Sequence, residues 1–159
     1  MDNNHKIIIT TPSDIEKNCL DEIIQLISRG GQVNRSGLQQ RLLHSELVAY
    51  KIKDDKVICT ATLKKPHSSY RIKVFNSAKF PVTGNYKKEL GYIVTHPDFE
   101  NLGHCQDLLL RFFNKISTYS MYATTRKPSM IHILSKMGFK VTGKTYNQDL
   151  KLLIYNSVE

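Results

Sequence analysis

Residues 88–113 read KELGYIVTHPDFENLGHCQDLLLRFF, and the hydrophobic period changes once along this stretch. Leu90, Tyr92 and Val94 alternate with Glu89, Gly91, Ile93 and Thr95, the two-residue period of an extended strand. Pro97 and Asp98 break the run. Gly103 then sits in a short loop, and Leu102, Cys105, Leu108, Leu109, Phe112 and Ile116 recur at helical spacing. The unit is a strand, a glycine-containing loop and an amphipathic helix. The first N–H groups of a helix lack partners within it and point at whatever anion sits there, so this loop is a place to seat phosphate.

Upstream, the central strand extends back to Asn85, giving a strand over Asn85–Thr95. Before it, Glu46–Lys53 and Val57–Lys64 read as two strands joined by Asp54-Asp55-Lys56, a hairpin signal. Val57, Cys59, Ala61 and Leu63 share one face of the second strand; Ile58, Thr60 and Thr62 share the other. Lys65–Pro81 reads as a surface loop, a short helical turn or an excursion that supplies acceptor specificity. Nearer the N-terminus, Lys6–Thr10 is a first strand. Ser13 and Glu16 have the spacing of a capping box, which predicts a helix start there. Ile15, Cys19, Ile23, Leu26 and Ile27 make its apolar face, and Gly30-Gly31 is expected to end it in a conformation that costs a side chain. A shorter helix follows within Gln32–His44, with Leu38, Leu42 and Leu43 as its apolar positions.

Downstream of the stretch, Ser120–Thr124 is a strand. Pro128 opens a helix to about Met137, where proline's missing N–H costs nothing. Met130, Ile131, Ile133, Leu134 and Met137 are its apolar residues, and Gly138 stops it. Phe139–Lys144 and Leu150–Tyr155 close the chain as two strands around Tyr146-Asn147-Gln148-Asp149. The order is β-α-α-β-β-β-α-β-α-β-β, an α/β (α+β) chain with a mixed central sheet and a right-handed crossover after the central strand.

The chain has 159 residues, about one domain, so residues 1–159 are expected to form a single domain with a real core. Hydrophobic content of 40% places it among globular rather than disordered chains. Cys19, Cys59 and Cys105 are odd in number and fit no zinc spacing, which predicts reduced, buried thiols, a cytoplasmic protein and no metal. No apolar run reaches membrane-spanning length, and MDNNHKIIIT has too short an apolar part for a secretory signal. Lysine and arginine number 23 against 14 acidic residues, a net charge of +9 that favours a polyanionic partner, either coenzyme A or nucleic acid. The basic residues, Lys51, Lys64 and Arg126 among them, are scattered, as on a solvated surface.

The segment V-x-x-P-D-F-x-x-x-G-x-x-x-x-L-L resembles the acetyl-CoA-binding segment of the GNAT N-acetyltransferase superfamily. In that register Gly103 matches the family glycine, Glu100 stands where the family has Gln or Arg, and Cys105 where it has Gly or Ala. I-H-I-L-S-K-M-G-F-K-V-T-G is similar to the family's final helix and strand, and Y-A-T-T-R precedes it in the expected place. The resemblance covers about Leu47–Tyr155 and implies the GNAT fold, with transfer of an acetyl group to an amine by direct attack on the thioester. It implies two adjacent parallel strands that splay apart. Main-chain groups of Ile93, Val94 and Thr95 would meet the pantetheine arm, and the amides of Leu102, Gly103, His104, Cys105 and Gln106 the pyrophosphate. His104 is also a candidate phosphate donor; otherwise it and His132 are surface or packing residues. Lys127 replaces a family Asn and is a candidate contact to a CoA phosphate.

By the same resemblance Glu89 is the candidate base; its alternative is a strand-surface carboxylate paired with Lys87 or Lys88. The tyrosine that relatives use as general acid is absent, with Leu134 in its place, leaving Ser135, Tyr122 and Tyr92 as substitutes. A thiolate also leaves without a strong acid, because its conjugate acid is already fairly acidic. Three functions remain open: an acetyl-CoA-dependent N-acyltransferase, a catalytically degenerate GNAT-like module that binds nucleic acid or a protein partner through its basic surface, or, joining the two, acyl transfer to a nucleic-acid base.

Overall fold

The computed structural model describes residues 5–30 and 36–157. Its elements in chain order are β1 (His5–Thr10), α1 (Lys17–Arg29), α2 (Leu38–Leu43), β2 (Leu47–Lys53), β3 (Lys56–Lys64), α3 (Ser68–Ser77), β4 (Lys88–Thr95), α4 (His104–Ile116), β5 (Met121–Thr125), α5 (Pro128–Lys136), β6 (Lys140–Tyr146) and β7 (Leu150–Tyr155). They divide into two compact units, Met1–Lys64 with Gly91–Asn114, and Lys65–Leu90 with Lys115–Glu159. The strand order is β1-β2-β3-β4 in the first and β4-β5-β7-β6 in the second, so β4 gives its last five residues to one unit and its first three to the other.

In the first unit β1, β2 and β3 form an antiparallel meander, with Thr10 opposite Val48 and Leu47 opposite Leu63. Asp54 and Asp55 both have left-handed backbones (φ 51° and 61°), the two-residue turn whose twist matches that of a hairpin. β3 is buried on both faces from Val57 to Leu63. One apolar cluster joins Ile23, Leu26 and Ile27 of α1, Leu38 and Leu42 of α2, and Val48, Tyr50 and Val57 of the hairpin. Each such side chain, fully buried, is worth roughly 1.5–3 kcal/mol of transfer free energy. In the second unit β4 and β5 run parallel, while β5–β7 and β6–β7 are antiparallel. Phe75 of α3, Tyr86, Tyr122 and Leu152 form its aromatic-rich core.

Several local expectations are corrected. The capping box does not form. Pro12–Asp14 make a single 3-10 turn, Ile15 and Glu16 are extended, and α1 begins at Lys17 without a side-chain cap. Ser13 lies inside that turn, where its hydroxyl cannot reach the start of α1. Gly30 has an ordinary helical backbone (φ −61°) rather than a left-handed one. A Cβ there would come within 3.2 Å of the Ile27 carbonyl and 3.6 Å of Val94, so crowding is what a side chain would meet. Gly31 and residues 32–35 lie outside the described residues. Leu43 is 44% exposed, Leu102 is 65% exposed and precedes α4, and Lys51 is buried. Of the readings open for Lys65–Pro81, the helical one holds, and it is longer than a single turn: α3 runs Ser68–Ser77. Tyr146 belongs to β6, and the turn proper is Asn147, Gln148 and Asp149, all with positive φ. No helix among the described residues is long and apolar enough to cross a membrane.

Candidate active site

In the first unit, β4 loses its regular alternation at Tyr92, whose φ is 50°. A left-handed backbone at an aromatic residue is strained and needs support from its surroundings. Arg41 Nε donates to Tyr92 Oη at 3.1 Å, and Lys64 Nζ lies 4.2 Å from the ring centroid, a cation–π distance. Beyond Tyr92, residues Ile93, Val94 and Thr95 are all half-buried rather than alternately buried and exposed.

The chain then turns toward α4. His96 N–H donates to the Ile58 carbonyl at 2.7 Å, and His96 Nδ1 accepts from Asp98 N–H at 3.1 Å. Pro97–Phe99 form a 3-10 turn, after which Asn101 (φ 63°) and Gly103 (φ 83°) take left-handed backbones. A Cβ on Gly103 would meet nothing within 4 Å, so the space beside it is open. The helical ladder begins with Asp107 N–H donating to the Gly103 carbonyl at 3.1 Å. His104, Cys105 and Gln106 make up the first residues of α4, the part of a helix whose N–H groups lie at its positive end. Glu100 is exposed, so its carboxylate can turn to water.

A buried layer braces this first turn of α4. Lys51 of β2, 5% exposed at its side chain, donates to Asp107 Oδ2 at 3.1 Å, and Arg111 Nε lies 3.7 Å from Asp107 Oδ1. His104 is 7% exposed and packs edge-on against His5 and Phe99. Burial lowers its pKa, helped by the charges of Lys51, His5 and Lys53. Cys59, opposite Lys51 across the hairpin, directs its thiol toward the His104 carbonyl at 3.8 Å, and burial pushes that thiol up to about 12.

In the second unit, β4 and β5 pair at Lys88↔Met121 and Glu89↔Tyr122, and their ladder includes no later pair. Glu89 is 4% exposed and Tyr122 fully buried. Burial raises the Tyr122 pKa far above the ordinary phenol value, and the Glu89 charge adds to this. The same two causes raise Tyr146 of β6. The hydroxyls of Tyr122 and Tyr146 are both sealed and have no hydrogen-bond partner. Phe75 of α3 meets the Tyr122 ring edge-on at 5.2 Å, and Arg126 donates to the Asn147 and Gln148 carbonyls, holding the turn that follows Tyr146.

No protein-family model matches the sequence, and no curated protein matches it significantly. Solved structures do match. Escherichia coli ElaA superposes with a TM-score of 0.73 at 11% identity over 96% of this chain and 99% of that one. An acyl-CoA N-acyltransferase from Pseudomonas aeruginosa gives 0.72 at 12% identity, over 96% and 99%. The PaiA N-acetyltransferase from Thermoplasma acidophilum, solved in complex with coenzyme A, gives 0.59 at 14% identity, over 95% and 99%.

The chain has the GNAT fold. Within it, the residues singled out in the sequence separate by unit. Ile93, Val94, Thr95 and Leu102–Gln106 lie in the first unit, along the tail of β4 and the start of α4. Tyr92 lies there too, engaged by Arg41 and Lys64. Glu89 and Tyr122 are register partners in the second unit, and the burial of Glu89 rules out a surface carboxylate. Ser135 is exposed on α5, as is His132; Lys127 is the exposed N-cap of α5, its N–H donating to Thr125 Oγ1 at 3.1 Å. Cys19 and Cys59 are buried as expected, whereas Cys105 is only half-buried. Among the described residues no cluster of His, Cys, Asp and Glu could hold a metal.

Two features of this GNAT fold were not read from the sequence. Tyr146 looked like a turn residue because Asn147 and Asp149 follow it. Lys51 looked like one solvated lysine among 23 basic residues, and nothing in the local sequence links it to Asp107, 56 residues away.

Proposed function

We propose that this chain works as one N-acyltransferase domain over residues 1–159, transferring an acetyl group from acetyl-CoA to an amine in the cytoplasm. The observation that carries the reading is the loop at Gly103. Its glycine takes a left-handed backbone, it opens onto space that a Cβ would not fill, and it leads directly into the first turn of α4, where Asp107 N–H donates to the Gly103 carbonyl. Such a turn fits a diphosphate ester. In this reading Ile93, Val94 and Thr95 offer main-chain groups to the pantetheine arm, and Leu102, Gly103, His104, Cys105 and Gln106 offer theirs to the pyrophosphate. His104 serves through its amide, since its ring is packed beneath the turn. Lys127 is exposed and available to a further phosphate.

Glu89 takes the proton of the acceptor amine, through water, because a group 4% exposed is not reached directly. Tyr122 and Tyr146 remain neutral beside it. A phenol whose pKa is raised is a weak acid, so these hydroxyls act as hydrogen-bond donors to developing negative charge rather than as proton sources. Ser135 and Tyr92 have no step assigned to them here. The thiolate leaves without a strong acid.

The test is a thermal-shift titration with acetyl-CoA, CoA and a short DNA duplex side by side. A ligand that binds only the folded state raises Tm. Acetyl-CoA and CoA are expected to raise it at micromolar to millimolar concentrations. A response to DNA alone would replace the enzyme with the nucleic-acid-binding module.

A further inference from the structure

Asp107 presents a problem for an anion seat. It places a carboxylate in the first turn of α4, its own N–H bonded to the carbonyl of Gly103 in the loop read as the phosphate seat. A bare carboxylate there would oppose a diphosphate, since like charges within several ångströms repel appreciably even in a partly aqueous medium. The structure supplies the counter-charge from beneath. Lys51 reaches out of β2 with its ammonium buried, and it donates to Asp107 Oδ2 at 3.1 Å while Asp107 itself stays 45% exposed. The other charged or titratable groups around this turn are Arg111, which touches Asp107 Oδ1, and Lys53, His5 and His104. Of the two cations that touch Asp107, only Lys51 is buried; Arg111 is 65% exposed and screened by water.

We propose that the Lys51–Asp107 pair sets the affinity of the Gly103 loop for its phosphate ligand. Lys51 is a positioning residue that cancels the Asp107 charge and holds the first turn of α4, without touching the ligand. This inference rests on the reading of that loop as a CoA seat. Its signature is a pair of opposite effects. Lys51→Met leaves Asp107 with only Arg111, so the seat becomes more negative and CoA binds more weakly. Asp107→Asn leaves Lys51 without its counter-ion, so the seat becomes more positive and CoA binds more tightly, although the fold is weakened by an uncompensated buried charge. A purely structural brace would weaken binding in both variants.

The experiment is isothermal titration of wild type, Lys51→Met, Asp107→Asn and the double variant with CoA and with pantetheine, which lacks the phosphates. Circular dichroism and Tm are recorded for each. For CoA, Kd is expected to rise on the order of fivefold in Lys51→Met and to fall on the order of fivefold in Asp107→Asn, with the double variant near wild type. Pantetheine Kd should not move. If both single variants bind CoA more weakly, or neither changes, the proposal is overturned. Should Lys51→Met fail to fold, Asp107→Asn alone decides the matter by the direction of its Kd. If wild type binds no CoA, the reading of the loop itself has failed, an outcome distinct from unchanged Kd values among the variants.

Discussion

The two halves of β4 differ in every property except their sequence pattern. Lys88–Leu90 is regular, pairs with β5 and is buried at Glu89 and Leu90. Gly91–Thr95 has a left-handed backbone at Tyr92, makes no pair in the β5 ladder and is half-buried throughout. A continuous ladder would satisfy every main-chain group and leave nothing for a ligand. A strand that pairs with β5 for two residues and then stops holds one carboxylate in the ladder and leaves its later residues outside it on that side. One strand thus carries a paired, buried segment and a segment outside the β5 ladder within eight residues.

The sharpest way to break this contrast acts on the ligand half. Gly103→Glu puts a side chain on a φ of 83° and a carboxylate into the space beside the amides. Strain of about 1 kcal/mol is expected from the backbone alone. The Tm increment caused by CoA should vanish, and a retained increment would remove the loop from the site. Next comes the anchored half. Glu89→Gln keeps the size of a group that is 4% exposed and removes its basicity. Turnover should fall by about 10²-fold while the CoA increment stays. An unchanged rate and pH profile would free Glu89 from any chemical role.

The buried brace gives a smaller, pH-dependent effect. His104 has a lowered pKa in the folded chain, so the unfolded chain binds the extra proton first as pH falls. Stability is full above the ordinary histidine value and is lost as pH drops through it toward the lower folded pKa. Urea melts of wild type and His104→Phe between pH 8 and pH 5 should diverge, the variant losing less on acidification. Parallel curves would mean that His104 does not titrate differently on folding. The smallest effect is expected from Tyr122→Phe, which removes a buried hydroxyl that has no partner. Tm should stay level or rise, by no more than about 1 kcal/mol in stability, because no bond is lost and a desolvated group is gained back. If Tm holds and turnover drops, the hydroxyl serves the chemistry.

Much of this was legible before any coordinates. Apolar residues at helical spacing marked α1 and the body of α4, and alternation marked the hairpin, because these periods reflect which face must leave water. The loop at Gly103 was legible as a loop because the strand period ends before it and the helical period begins after it. Capping at Ser13 misled, because Pro12 allowed a 3-10 turn that consumed the signal. Helix α3 was obscure, since its apolar residues do not gather on one face and only Val74 and Phe75 are buried.

The sequence by itself determined the elements other than α3 and their order, since these follow from local periodicity and backbone allowance. Only the tertiary structure decided that Tyr92 takes a left-handed backbone within β4, that the charge of Glu89 reaches both Tyr122 and Tyr146, and that Lys51 lies under Asp107. Each of those depends on residues remote along the chain, and contact energies between remote residues leave no periodic trace in the sequence.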